Sequence, residues 1–383
     1  MKQSVMFFCV ALLISSCSTK EEKMSCEVID FTPFQKDEVS DDITQYIEDV
    51  ELIPFEVSDS CLVGHYTDLY VEEDRVIFCE NQMSMQPVKI FGRDGRFIKS
   101  VNIGQGPGEV SRVYSVAVDS KMKQILIRHP EQIMYLDFNG EFVKNDKVDF
   151  HFSSFAVCGE ELVFKTSYHQ KNEELGKNGG YKAFVTDREY NVKNVNQKID
   201  SELLWRVSSP MERLSDYVSY VNVLEDTIYF YKNGEFGKLL ELNYQDKIFA
   251  DGFPDDIVKV SQMLRTVDGY YFTGIYSETE THQYFELAND YQKVRVCVYR
   301  DKESGVVRGR KVPLSEFREA FSLKNCSPLG SYKDYFYSTI ESGDVESQLE
   351  VLESFLSEEE KNVLKSITED SNPVVLMYKL KDF

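Results

Sequence analysis

The chain has 383 residues, 42% of them hydrophobic and 13% aromatic, so it can bury a sizeable core and is not of disordered composition. Its 65 acidic against 43 basic side chains leave a net charge of −22. That balance, with no basic stripe, argues against nucleic acid as a partner and against docking on anionic lipid.

In chain order, Lys2 gives a short positive start and Val5 to Ile14 forms an apolar stretch of signal-peptide length, too short for a permanent transmembrane helix. Leu13-Ile14-Ser15-Ser16-Cys17 follows, and it resembles the lipobox of bacterial lipoprotein signal peptides. The resemblance implies cleavage before Cys17 (residues 1–16 leaving as the signal peptide), acylation of that cysteine and membrane attachment through the acyl chains alone. The alternative is an ordinary secretory signal in which Cys17 is incidental. Residues 17–45 read as a tether. Its start, Ser18 to Lys23, is similar to the signal after the cysteine in surface-exposed lipoproteins of the Bacteroidetes, or is a plain solvated linker. An outer-membrane location is therefore expected, with the periplasmic and the surface faces both open. Of the eight cysteines, Cys26, Cys61, Cys79, Cys158, Cys297 and Cys326 lie beyond Cys17 without a C-x-x-C pair, and no pairing can be read from them.

From about residue 50 β-branched and aromatic residues alternate with period two, broken by Asp, Asn and Gly, which predicts short antiparallel strands and tight turns. One kind of turn is expected between a first and a second strand: Val71 to Asp74, Val118-Asp119, Cys158-Gly159, Leu224 to Asp226, Val267 to Gly269, and the step into Asp334 to Tyr337. A second kind closes a later hairpin, where Phe91 to Lys99 matches Leu136 to Lys144 almost position for position, with Asp187 to Tyr190 as a degenerate copy. Asn233-Gly234 is placed between second and third strands and left out of that series. Repeats of this length, each with four short strands, predict an all-β fold, a six-bladed β-propeller over residues 46–383. The blades fall near 62–105, 110–149, 150–200, 215–253, 255–313 and 327–380. Val50 to Glu56 is expected as the outer strand of the last blade, closing the ring without a free edge, with Pro54 tolerated there. Val345, Leu349, Leu352 and Leu356 recur at helical spacing, and Ser357 opens a second helix with a capping box, so a helical insertion is expected in the last blade at about 344–367.

Val50 to Glu56, the Phe91–Lys99 hairpin, Ile103-Gly104-Gln105-Gly106-Pro107-Gly108-Glu109 and Ser371 to Leu380 together resemble the six-bladed β-propeller lipoproteins of the Bacteroidetes, a family related to NHL-repeat propellers. The resemblance runs from about residue 45 to the end. It implies the fold and an envelope location, and it brings no established reaction and no catalytic residue.

The residues themselves point to little chemistry. Gly104 to Gly108 lacks the Lys-Ser/Thr of a phosphate loop and reads better as a tight turn between blades. Five histidines are spread singly with no zinc-ligand spacing, no Gly-x-Ser-x-Gly elbow occurs, and no cofactor or metal is expected. Residues at the starts of the innermost strands should ring one mouth of the channel: His65, Tyr66, Arg112, His151, Asp216, Tyr217, Asp256 and Lys333. Such a mouth could hold a small ligand, or be an ordinary solvated rim. The expected function is an envelope-anchored binding or scaffold module for a glycan, peptide or partner protein. The alternative is an envelope hydrolase or lyase with its site in the channel mouth.

Overall fold

The computed structural model describes residues 26–383 except 37–38, 81–83, 167–171, 200–210, 215, 223, 253, 255 and 316–326. The signal-peptide and lipobox residues, Cys17 among them, lie outside the described residues, as do His169 and Cys326.

Alternating β-branched and aromatic residues form short strands that cannot bury both faces in one sheet, so six sheets stack around an axis. Blade one is Tyr66–Val71, Arg75–Glu80, Val88–Gly92 and Phe97–Val101. Blade two is Ser115–Asp119, Gln124–His129, Gln132–Asp137 and Phe142–Lys147. Blade three is Ser154–Cys158, Glu161–Lys165, Tyr181–Thr186 and Val192–Lys198. Met211–Arg213, Val218–Val221, Thr227–Lys232 and Glu235–Asn243 make blade four. Blade five is Tyr271–Glu278, His282–Asn289, Val294–Asp301 and Val307–Pro313. Blade six takes Gly330–Tyr332, Tyr335–Ile340 and Val374–Leu380 from the end of the chain and Ile47–Ile53 from near its start. The expected six-bladed propeller is the fold. Its core lies between blades, where apolar residues of adjoining sheets interdigitate, as Phe272, Phe285, Ile228 and Leu240 do between blades five and four.

The closing strand pairs antiparallel with Val374–Leu380, Leu52 opposite Leu376 and Ile53 opposite Val375. It starts three residues earlier than the sequence pattern suggested and stops just before Pro54, whose nitrogen has no proton to donate. Two helices, α1 (Val345–Leu352) and α2 (Glu358–Lys365), fill the insertion in blade six. Leu352, Leu356 and Leu364 are their buried face, and Ser357 and Glu360 form the expected capping box.

Blades four and five differ from the sequence reading. The innermost strand of blade four is Met211–Arg213, three residues with no visible alternation, so Leu224 to Asp226 joins the second and third strands instead of the first and second. Asn233-Gly234 therefore joins the third and fourth strands and is a true fourth copy of the hairpin turn. Gly95, Gly140 and Gly234 all take positive φ at the matching place, and Tyr190 takes φ 66° in the degenerate copy. In blade five a third helix, α3 (Ile257–Thr266), precedes the innermost strand, so Val267 to Gly269 leads into the blade from that helix.

The largest difference is in the segment read as a tether. Glu27–Asp30 adds a fifth strand, parallel, to the outer edge of blade four, with Ile29 opposite Leu242. Phe31 is fully buried against Phe285, and Gln35 exchanges hydrogen bonds with the backbone of Gln245. The Asp41 amide then bonds to Gly309 of blade five, and Ile43 packs into the core of blade six. The described residues between 26 and 46 thus form a strap across the edges of three blades. A strand of four residues carries too little alternation to be seen in sequence.

Candidate ligand site in the propeller channel

The inner strands run in the same direction round the ring, so their starts open on one face and their first turns on the other. Tyr70 of blade one donates to the Val116 carbonyl of blade two at 2.7 Å, and Tyr337 of blade six donates to the Leu69 carbonyl at 2.7 Å. These cross-blade bonds fix the spacing of the channel wall.

Arg213 divides the channel. It leaves blade four and reaches blade one across the ring, its Nη2 lying 2.6 Å from Glu72 and its Nη1 donating to Ser120 of blade two at 2.6 Å. Ser120 in turn donates to Glu72. Glu72 is 4% exposed, and such a carboxylate requires a counter-charge. Arg213, Glu72 and Ser331 line the space on both sides of this bridge. Toward the strand starts lies a cup of about 520 Å³, and toward the first turns a wider recess of about 830 Å³.

The cup is walled by Tyr66, Tyr70 and Tyr114 with Val116, Ala156 and Met211, and holds the carboxyls of Asp68 and Glu212. Burial pushes the Tyr66 phenol up to about 12; its oxygen lies 2.5 Å from the Thr339 hydroxyl. Asp68 is open to water inside the cup yet enclosed by the walls, and that enclosure raises its carboxyl, against one hydrogen bond from Thr67 at 2.9 Å. Glu212 is pushed up to about 8, first by burial and then by the charge of Glu278, while the hydroxyls of Ser277 and Ser331 oppose the shift. Glu80 also faces the cup but is answered by Lys89 in a buried pair and by the Gly64 amide at 2.9 Å.

In the recess Tyr217 donates to Glu278 at 2.7 Å, and Lys302 stands 3.4 Å from the same carboxylate. Burial raises the Tyr217 phenol further, with Glu278 adding to it. Asp216 pairs with Lys232 at 2.5 Å, and Lys333 lies over the Tyr332 ring.

The eight residues read as one rim do not share a mouth. His65, Tyr66, Arg112 and His151 precede or open the inner strands of blades one to three, on the cup side. Tyr66 lines the cup itself, and Arg112 lies over the ring of Tyr114, which does so too. Asp216, Tyr217 and Lys333 sit in first turns and face the recess, because the inner strands of blades four and six end just before them. Asp256 caps helix α3, accepting from the Val258 amide at 2.8 Å, and starts no inner strand. Sequence reasoning missed Asp68, Tyr70, Glu212 and Arg213. The signal available was the charged Glu212-Arg213 pair just before a strand, and the polar residues two and four places beyond Tyr66.

Gly104 to Gly108 is a turn, with the Gly106 amide donating to Glu109 at 2.7 Å and Ile103 bridging Val110. Among the described residues no group of three His, Cys, Asp or Glu side chains is placed to hold a metal ion. Cys26, Cys61, Cys79, Cys158 and Cys297 are free thiols, and no described helix is long and apolar enough to cross a membrane.

The profile of a family described as Domain of unknown function (DUF4934) matches residues 26–379. No curated protein matches the chain. Among solved structures, a Bacteroides fragilis protein named as an exported protein superposes with TM-score 0.71 at 16% identity, covering 93% of this chain and 100% of that one. BamB from Moraxella catarrhalis gives TM-score 0.37 at 9% identity, covering 88% and 99%. PorZ, a surface component of the type-IX secretion system of Porphyromonas gingivalis, gives 0.32 at 7%, covering 73% and 38%.

Proposed function

The chain belongs to the Domain of unknown function (DUF4934) family, and from that premise we propose that it is an envelope-anchored binding module whose ligand seats in the channel cup. The observation that carries this reading is the channel cup of about 520 Å³, bordered by the Arg213–Glu72 bridge. That volume is of the size that encloses a small ligand or the end of a chain, such as a sugar unit or a peptide side chain. His65, Arg112 and His151 flank its opening as outer contacts, with Tyr66 in the wall. Asp216, Tyr217 and Lys333 flank the recess and offer a second face to a partner protein.

The anchor in this reading is the acylated Cys17, on the outer membrane. Eight residues lie between Cys17 and Cys26, and a chain of that length spans at most about 30 Å. The strap then holds the edge of blade four beside the membrane and leaves the two channel faces accessible. The exported-protein likeness agrees with a location beyond the inner membrane.

A second reading, an envelope hydrolase or lyase, is favoured by one observation. Burial and the Glu278 charge push the Glu212 carboxyl up to about 8 inside the cup, the direction that suits a general acid. Calorimetric titration of purified protein with panels of short glycans and peptides, followed by product analysis, separates the two. Saturable binding with the ligand recovered intact is expected. Turnover lost in Glu212→Gln would replace the binding module by the enzyme. For the anchor, mass spectrometry of the membrane fraction should find acyl chains on Cys17, and Cys17→Ser should release the protein.

A further inference from the structure

The carboxyls of the cup come from two blades only. Asp68, Glu72 and Glu80 belong to blade one and Glu212 to blade four, while blades two and three line the cup with uncharged residues such as Tyr114, Val116 and Phe155. At the mouth over those two blades the sign of the charge reverses. Arg128, near the end of the second strand of blade two, reaches toward blade three and lies 5.0 Å from the centroid of the Tyr114 ring and 4.3 Å from that of Phe152. Arg112 lies over the same Tyr114 ring at 5.4 Å. Tyr114 is 41% exposed and forms part of the cup wall, so both cations stand at the cup's edge. Arg128 donates from Nη1 to the Phe152 carbonyl. Its Nε and Nη2 meet no acceptor among the described residues and stay open to water. Burial pulls this guanidinium down to about 10, and no carboxylate among the described residues pairs with it. The chain has 65 acidic side chains, yet none answers this half-buried cation, and an enclosed charge left unanswered is costly.

The surface that Arg128 leans on is held from the far side. Asn172 is fully buried; it accepts from the His151 amide at 2.6 Å and donates to the His151 carbonyl at 2.9 Å. One side chain thus fixes both backbone groups of His151. The Asn172 amide in turn donates to the Gly179 carbonyl at 3.0 Å, and a Cβ at position 179 would stand 1.8 Å from the Asn172 carbonyl oxygen, so only glycine closes this loop. His151 and Phe152 are therefore set in place before any ligand arrives, and Arg128 with them.

We propose that the ligand of the cup is acidic and that a carboxylate of it docks side-on against the Nε and Nη2 edge of Arg128, with Arg112 as a second positive charge. This rests on the binding-module reading and gives that ligand its chemical class. The open edge of the guanidinium selects the anion. Its Nε–H and Nη2–H run parallel, and the two oxygens of a planar carboxylate accept both at once. A tetrahedral, doubly charged anion would leave further oxygens facing a cup that holds four carboxyls of its own. A uronic acid and an acidic amino acid carry the same carboxylate and differ in what else enters the cup.

The test is calorimetric titration with two pairs of probes matched in shape, methyl glucuronide against methyl glucoside and N-acetylglutamate amide against N-acetylglutamine amide, and with sulfate and phosphate. The charged member of a pair should bind about tenfold or more tighter than its neutral partner, the factor that a hydrogen bond between charged groups supplies. Arg128→Gln should erase that difference, and Arg128→Lys, which keeps the charge and loses the fork, should retain only part of it. Near-UV circular dichroism confirms that each variant is folded. Arg112→Gln, at an exposed position, should narrow the difference as well and serves where an Arg128 variant does not fold. Preference for the glucuronide points to an acidic sugar, and the reverse to an acidic amino acid. Tighter binding of sulfate or phosphate, equal binding within both pairs, or a preference unchanged in Arg128→Gln overturns the carboxylate assignment and leaves the binding module standing. The same holds where none of these probes binds and a member of the wider glycan and peptide panel does. Silence across that panel as well overturns both.

Discussion

Replacing Phe31 with alanine tests whether residues 26–46 belong to the propeller or merely lead up to it. Phe31 is fully buried, meets Phe285 edge-on with ring centroids 6.0 Å apart, and sits in the cluster shared by blades four and five. A buried phenylalanine removes about 150–250 Å² from water, or about 4–6 kcal/mol at roughly 25 cal/mol per Å². Truncations of such residues cost about 3–5 kcal/mol, so a loss of about 4 kcal/mol is expected. The strap supplies its own control, because its strand alternates: Val28 is 67% exposed and Ile29 is 3% exposed. Ile29→Ala should lose about 2–4 kcal/mol, and Val28→Ala should stay within about 0.5 kcal/mol. Equilibrium urea unfolding of protein lacking the signal peptide, read by near-UV circular dichroism, gives all three values. If Phe31→Ala and Val28→Ala shift the midpoint alike and by less than about 1 kcal/mol, the strap is not part of the folded unit.

Arg213→Ala leaves Glu72 buried without its counter-charge and should cost about 3 kcal/mol or more, while Arg213→Ala combined with Glu72→Gln should recover much of it. A double-mutant cycle reads the coupling, and strict additivity would show that the two side chains are not coupled in the fold. Lys89→Met strands Glu80 in the same way, with side-chain exposures of 4% and 6%, and should destabilise by about 3–5 kcal/mol, whereas the joint Lys89→Met and Glu80→Leu replacement should lose much less. The folded chain keeps a proton on Glu212 that the unfolded chain has already lost above pH 4.5, so this site makes stability fall as pH climbs from 4.5 toward about 8. Glu212→Gln should match wild type in urea at pH 4 and exceed it by a few kcal/mol at pH 8.5, since each unit is worth at most about 1.4 kcal/mol. A wild-type advantage at pH 8.5 would show that the fold does not raise this carboxyl above its unfolded value.

The ring, its closure by an N-terminal strand and the helices of blade six were legible because each is a local pattern repeated along the chain. Period-two alternation sets a strand, a Gly-bearing turn sets the hairpin, and helical spacing sets α1 and α2. Where the local pattern is short it could not be seen. Met211–Arg213 and Glu27–Asp30 are strands of three and four residues, held by pairing with neighbours and by little of their own propensity. Misplacing the first of these shifted the reading of blade four by one strand and sent Asp216 and Tyr217 to the wrong face.

The sequence by itself determined how many blades form and how each is built, because those depend on residues a few places apart. Which polar groups meet at the axis was decided by the ring, since every inner strand contributes to one narrow space. Arg213 and Glu72 are 141 residues apart in the chain and 2.6 Å apart in the channel. No pattern within a blade encodes that contact, which exists only once the six blades have closed.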